Sequence, residues 1–247
     1  MSLLFRVFRS KWREDNFPKY PRVLKGDFRE WNNKMFKKYN NERVYNHINP
    51  LIRYIERVRV KAVIELLSPI KKEDFVLAAG CGEGYIEKQL PDSNLVLVDL
   101  SEEAIKRAKK NLKNRINVEY FIQDLEKLPF SDETFNKTEC SEVIEHVLSP
   151  QSLLKELRRT LKQDGFLVVT FPNEPLINLL KKIFIKLRIF NIFFPNISED
   201  MTEEWHLHAF SFRHFESVIK DEWQILTVKG VPYNFFPLRY VVKCRKS

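Results

Sequence analysis

Three glycines, Gly80, Gly82 and Gly84, stand within five residues of the stretch FVLAAGCGEGY, Phe75 to Tyr85. The chain of 247 residues has only 6 glycines, so half of them meet one local need. A glycine loop between a strand and a helix brings backbone N–H groups close to a ligand. The spacing is G-x-G-x-G. A dinucleotide fingerprint would need glycine at Tyr85, and a triphosphate loop would need a GK[ST] that does not follow. Asp99 ends the apolar run LVLVDL, 19 positions after Gly80. An acid at that place can accept both hydroxyls of a ribose. Asp124, in IQDLEKLPF, closes the next strand-like run and could accept a hydrogen bond from an adenine amino group. Together these residues suit an adenosine-like molecule without phosphates.

Histidine is the side chain that titrates nearest neutrality and is the first candidate for a general base. His146, in EVIEHV, follows the fourth strand-like run. It reads equally as a base facing the site and as a helix cap. His206 and His208, in EEWHLHAF, share one side if the segment is extended. Acceptor contact or structural hydrogen bonding is the preferred reading of that pair, and no metal site is expected. Tyr45 and His47, in VYNHINP, read as packing residues ahead of a lid over the ligand. The cysteines Cys81, Cys140 and Cys244 are widely spaced, with no CxxC pair, which argues against a zinc or disulfide framework.

These residues need a scaffold, and the hydrophobic pattern supplies one. Ile52, Ile55, Val58, Ala62, Val63, Leu66 and Leu67 recur at helical spacing until Ser68-Pro69. FVLAA, LVLVDL, INVEYFIQD and FLVVTFPN read as strands, and FNKTECSEVIEHV as a strand running into a turn or helix. A helix is expected from the glycine loop to Leu90. SEEAIKRAKKNL reads as a helix capped by Ser101, with Glu102 and Glu103 in its first turn, and PQSLLKELRRTLKQDG as an amphipathic helix stopped by Gly165. Such alternation implies βαβ units and a parallel sheet. WQILTVKGV and LRYVVKCRK read as a closing hairpin at one edge, with Gly230 and Pro232 in its loop.

The segments AAGCGEG, LVDLSEEAI, QDLEKLPFSDETF, CSEVIEHV and LRRTLKQDGFLVVTFPNE resemble, in order, the motifs of class I S-adenosylmethionine-dependent methyltransferases. The likeness is greatest to the group that modifies small molecules and lipids, and it covers about residues 60–175. It implies an α/β Rossmann-like fold: a seven-stranded, mostly parallel sheet with an antiparallel last strand and helices on both faces. It implies S-adenosylmethionine as cofactor. Gly80, Cys81, Gly82 and Gly84 would lie at its methionine moiety and Asp99 at the ribose, with Leu100, Asp124 and Leu125 at the adenine. The stretch Cys140 to Glu142 would lie beneath the sulfonium. One position departs from the family pattern: Ala78 stands where an acid usually helps to place the cofactor's amino group. Glu83 and the N-terminal segment are candidates to replace it, and Ala78→Asp is expected to tighten cofactor binding.

Residues 1–50 are basic and aromatic and are expected to form a cover over the domain at 51–247, which carries a helical insert at about 174–210. The acceptor is expected to be a small or lipid-like molecule, with His146, His206 and His208 as catalytic candidates. Within the insert, Leu176, Leu179, Leu180, Ile183, Phe184 and Leu187 form an apolar stripe flanked by lysines. A cap on its own domain, a lid for a greasy acceptor and a membrane-surface helix over 176–197 all fit it. The net charge of +9 favours anionic partners. RNA is the weaker choice, because no Asn/Asp-Pro-Pro-aromatic motif follows the fourth strand. A non-catalytic cofactor-binding protein is the remaining alternative that Ala78 raises. With no run of about 18 apolar residues, a cytoplasmic protein with at most peripheral membrane contact is expected.

Overall fold

The computed structural model describes residues 27–38, 49–190 and 205–247. Tyr45 and His47, most of the 1–50 cover and the 191–204 part of the insert lie outside the described residues. Among the described residues, the helices α1 (Phe28–Lys38) and α2 (Pro50–Leu67) precede the first strand. There follow β1 (Phe75–Ala79), β2 (Asn94–Asp99), α3 (Glu102–Asn111), β3 (Val118–Ile122), β4 (Phe135–Ser141) and α4 (Pro150–Thr160). The chain continues through β5 (Leu161–Pro172), α5 (Glu174–Lys186), α6 (Phe212–Ile219), β6 (Trp223–Tyr233) and β7 (Phe236–Lys246).

The seven strands form one sheet in the order β3-β2-β1-β4-β5-β7-β6. β1 to β5 pair in parallel, and β7 runs antiparallel to both β5 and β6. The expected sheet, with its one reversed strand, is therefore present. Each face carries its own core. Leu77, Ala79, Val98, Cys140 and Val169 pack on one side with Leu153, Leu157 and Phe215. Val76, Ala78, Leu97 and Val168 pack on the other with Val63, Leu67 and Ala108. Period-two alternation along β1 sends Ala78 and Ala79 to opposite faces.

Local signals explain the boundaries. Asn49 caps α2 by accepting from Leu51 N at 2.8 Å. Ser101 Oγ accepts from Ala104 N at 3.3 Å and caps α3, where Glu102 and Glu103 favour the positive end of the helix. Three expectations change. After the glycine loop there is only a short 3-10 turn, Glu87–Gln89. α4 ends at Thr160, and Gly165 lies inside β5, where a Cβ would stand 2.9 Å from Asn136 O. Gly230 and Pro232 belong to β6 itself, so the hairpin turns later. Among the described residues, no helix is long and apolar enough to cross a membrane.

Candidate active site at the carboxyl ends of the strands

Parallel strands end together, so the loops after β1, β2, β3 and β4 share one rim. A cleft opens there, and α1 and α2 close it from above with Phe28, Phe36, Glu56 and Arg59. The glycine loop forms its floor. Gly80 has φ +79°, and an added Cβ would stand 2.3 Å from Val143 Cγ2, so both conformation and space require glycine. Val98 O accepts from Gly80 N at 2.8 Å and from Cys81 N at 3.1 Å. Asp99 then ties two loops together: Oδ2 accepts from Gly82 N at 2.9 Å and Oδ1 from Ser101 N at 2.8 Å. Burial raises its carboxyl, and these N–H groups work against that. Leu100, Asp124 and Leu125 line the same end, with Asp124 Oδ1 held by Glu126 N at 2.9 Å.

Two glycine-loop and strand expectations need correction. Gly84 does not line the cleft. A Cβ there would stand 2.3 Å from Leu112 Cδ1, so this glycine lets the loop pack against the end of α3. Cys140 is fully buried in the core on the far face of β4. Alternation puts its neighbours Glu139 and Ser141 in the cleft instead. Cys81 does reach the cleft wall.

Glu139 also answers the anomaly at Ala78. The two residues are direct partners in the β1–β4 ladder, so their side chains leave the same face of the sheet. Burial pushes the Glu139 carboxyl up to about 7, with Ser141, Arg59 and Glu87 beside it. Glu87 is raised well above the usual range by burial and by Glu139. Glu139, Glu87 and Ser141 meet one another there, but Glu139 Oε1, Glu87 Oε2 and Ser141 Oγ are buried without a well-formed hydrogen bond. Three buried polar atoms that satisfy one another poorly, in one cleft wall, fit a cationic donor such as an α-ammonium group. Glu83, the sequence candidate for this role, is committed to Arg107 NH1 at 2.7 Å.

The other end of the cleft is ionic. Glu142 has φ +55°, which turns its side chain into the cleft. Its Oε1 accepts from Thr170 Oγ1 at 2.8 Å, and its Oε2 accepts from Arg239 Nε at 2.7 Å. Burial alone would raise this carboxyl, but Arg239 and Arg59 hold it down to about 2. Arg239 also meets Glu56 at 3.2 Å, and Glu56 meets Arg59 at 2.9 Å. Because β7 runs backwards, its beginning lies at the ends of the parallel strands, and Arg239 pairs with Pro172 there. Sequence reading missed Glu56, Arg59, Glu139, Glu145 and Arg239. Glu56 and Arg59 were detectable as charges set within the apolar stripe of α2.

The histidines separate. His146 and His206 line the cleft with ring centroids 4.9 Å apart. His146 Nδ1–H donates to Trp205 O at 3.0 Å, and burial pushes the imidazole down to about 3. It is therefore neutral at physiological pH and a weak base. His206 Nδ1–H donates to the buried Glu174 Oε1 at 2.7 Å. His208 turns away, and its Nε2–H donates to Val147 O at 2.9 Å. Its role is to tie the segment before α6 to the β4 turn, which corrects its candidacy as a catalytic residue.

Residues 77–169 match the family model described as a methyltransferase domain. An uncharacterised protein of Methanocaldococcus jannaschii, MJ0638, is 31% identical over 186 residues, covering 75% of this chain and 65% of its own length. A ubiquinone biosynthesis O-methyltransferase of Coxiella burnetii is 32% identical over 114 residues, 45% of this chain and 48% of that enzyme. The chain thus spans about two thirds of one curated relative and half of another. The crystal structure of magnesium protoporphyrin IX methyltransferase from Synechocystis superposes with TM-score 0.65 at 18% identity, over 91% of this chain and 100% of the other. Sheet order, glycine loop, acid-lined cleft and family match agree: residues 77–169 are a methyltransferase domain, on a fold shared with class I S-adenosylmethionine-dependent methyltransferases.

Proposed function

We propose that this protein transfers the methyl group of S-adenosylmethionine to a small or lipid-like acceptor, at a hydroxyl oxygen. The observation that carries the reading is the acid wall of the cleft. Glu87, just after the glycine loop, and Glu139, one strand away, present buried carboxyl oxygens that have no partner outside their own cluster. A methionine sulfonium carries two cationic centres, and such a wall favours both. Asp99, Leu100 and Asp124 are set to take the adenosyl end, and Glu139 to take the ammonium in place of the acid missing at position 78.

The cofactor supplies an activated methyl group, so the protein contributes position, exclusion of water and proton handling. Phe28 and Phe36 of α1 cover the cleft and keep water out. Oxygen as the receiving atom is supported by the likeness to a ubiquinone biosynthesis O-methyltransferase. A lipid-like acceptor is supported by α5, which begins at Glu174 beside His206 and leaves Leu179 and Ile183 exposed. The same face would serve peripheral contact with a membrane.

Calorimetry with S-adenosylhomocysteine tests the reading. Wild type should bind, and Glu139→Gln should bind at least tenfold more weakly. Ala78→Asp should weaken binding rather than tighten it, because it sets a third carboxyl beside Glu139 and Glu87. Failure of the wild type to bind defeats the proposal and favours a non-catalytic protein. Transfer of labelled methyl to phenolic and prenylated acceptors in vesicles, but not to RNA, would define the acceptor class.

A further inference from the structure

We infer that Glu145, His146 and His206 bind one divalent transition-metal ion at the acceptor end of the cleft. One carboxylate oxygen and two imidazole nitrogens, one from each residue, lie within 4.8 Å of one another. Glu145 Oε1 stands 3.9 Å from His146 Nε2. Metal–ligand bonds of about 2.1 Å put such atoms roughly 3.4 Å apart, so side-chain rotations of about an ångström close the set.

The outer contacts are those that a metal site needs. Each histidine spends Nδ1–H on a fixed acceptor, Trp205 O for His146 and the Glu174 carboxylate for His206. That leaves the Nε2 lone pair of each ring directed away from its anchor. An imidazole whose second nitrogen donates to a carboxylate or a carbonyl is the usual second sphere of a metal ligand. The third ligand is independent evidence. Glu145 is 1% exposed, lines the cleft and has no hydrogen-bond partner for Oε2. A buried carboxyl next to Glu142 and Glu174 is costly without a cation, and Arg239, whose charge reaches it, is already engaged by Glu142 and Glu56.

Ligand chemistry selects the ion. Two imidazoles and one carboxylate suit Mn²⁺, Fe²⁺, Co²⁺ or Zn²⁺ over Mg²⁺ or Ca²⁺, which prefer oxygen throughout. Three protein ligands leave open positions, the arrangement of a working site rather than a structural one. What those positions do rests on the methyl-transfer reading. An acceptor hydroxyl held there would lose its proton to solvent, since a bound dication lowers the pKa of an oxygen ligand. The oxygen would then form a bond to the methyl carbon while the carbon–sulfur bond breaks and the neutral thioether leaves.

The test is titration of the chelator-treated full chain with Co²⁺, read by calorimetry and by the visible bands of the bound ion, without cofactor. One equivalent should bind. Glu145→Gln and His206→Ala should lose at least about 100-fold in affinity, and Glu174→Gln about 10- to 100-fold through the second sphere. His208→Ala, two residues from a ligand but bonded elsewhere, should stay within about threefold. Far-UV circular dichroism on each variant separates lost binding from lost fold. Should Glu145→Gln not fold, the same loss in folded His206→Ala carries the decision. Absence of Co²⁺ binding in wild type, or equal loss in His208→Ala, overturns the site. Binding of S-adenosylhomocysteine with no Co²⁺ defeats the metal alone, and Co²⁺ with no S-adenosylhomocysteine defeats the methyl-transfer reading alone.

Discussion

The two ends of the cleft are built on different principles. At the end proposed for the adenosyl group, backbone N–H groups, Val98 O and one carboxylate, Asp99, set the shape of the glycine loop. At the acceptor end, Glu56, Arg59, Glu142, Glu145, Arg239 and two histidines crowd together, and charge does what backbone does at the other end. The first end can be encoded in one short stretch, because glycines and the next strand suffice. The second draws on α2, the β4 turn, the segment before α6 and β7, so it exists only when the whole sheet is formed. On the proposed reading, recognition of the constant part of the reaction is local, and handling of the variable part is distributed.

Substitutions at the two ends should therefore fail in different ways. The largest effect is expected at Arg239. Arg239→Ala leaves Glu56 and Glu142 without their shared cation, and urea unfolding should register a loss of about 3–5 kcal/mol. A loss below about 1 kcal/mol would mean that the ionic end is not a structural unit.

Next comes pH. Glu139 sits at about 7 in the folded chain against an ordinary 4.5. The folded state holds this proton more tightly. Its contribution favours folding below about 4.5 and is lost as the pH rises through 7, by up to about 3 kcal/mol. Glu87, displaced in the same direction, extends the fall to higher pH. Glu139→Gln should flatten the stability profile between pH 5 and 8 in chemical denaturation, and an unchanged slope would remove Glu139 from the account. Cofactor binding should also release a proton near neutrality, visible as a buffer-dependent binding enthalpy.

Asp99→Ala should cost about 2 kcal/mol of S-adenosylhomocysteine affinity, roughly 30-fold, since it frees Gly82 N and Ser101 N. Co²⁺ affinity should not follow it. A parallel loss of both would dissolve the division between the ends. The smallest effect belongs to the α3 cap. Ser101→Ala should cost about 1 kcal/mol of stability and leave both ligands almost untouched.

The sheet was readable from the chain because parallel strands are apolar on both faces and the helices between them are periodic. The adenosyl end was readable for the same reason it is local. Gly84 was misassigned because φ > 0 and a ligand contact demand the same residue, and only Leu112 reveals that packing decides there. Cys140 and Glu139 were exchanged by one step of strand alternation, which no motif fixes. Arg239 was invisible, since nothing within β7 announces that its partner lies 97 residues upstream. The His206–Glu174 bond and the divergence of His208 likewise depend on distant backbone carbonyls and carboxyls.

The reversed strand sets an order of events. β7 enters between β5 and β6, and it alone delivers Arg239 to the rim. During synthesis the glycine loop, Asp99 and Asp124 can all be in place while the acceptor end still lacks its central cation. A chain cut before β7 would keep the glycine loop, Asp99 and Asp124 but would lack Arg239 at the rim.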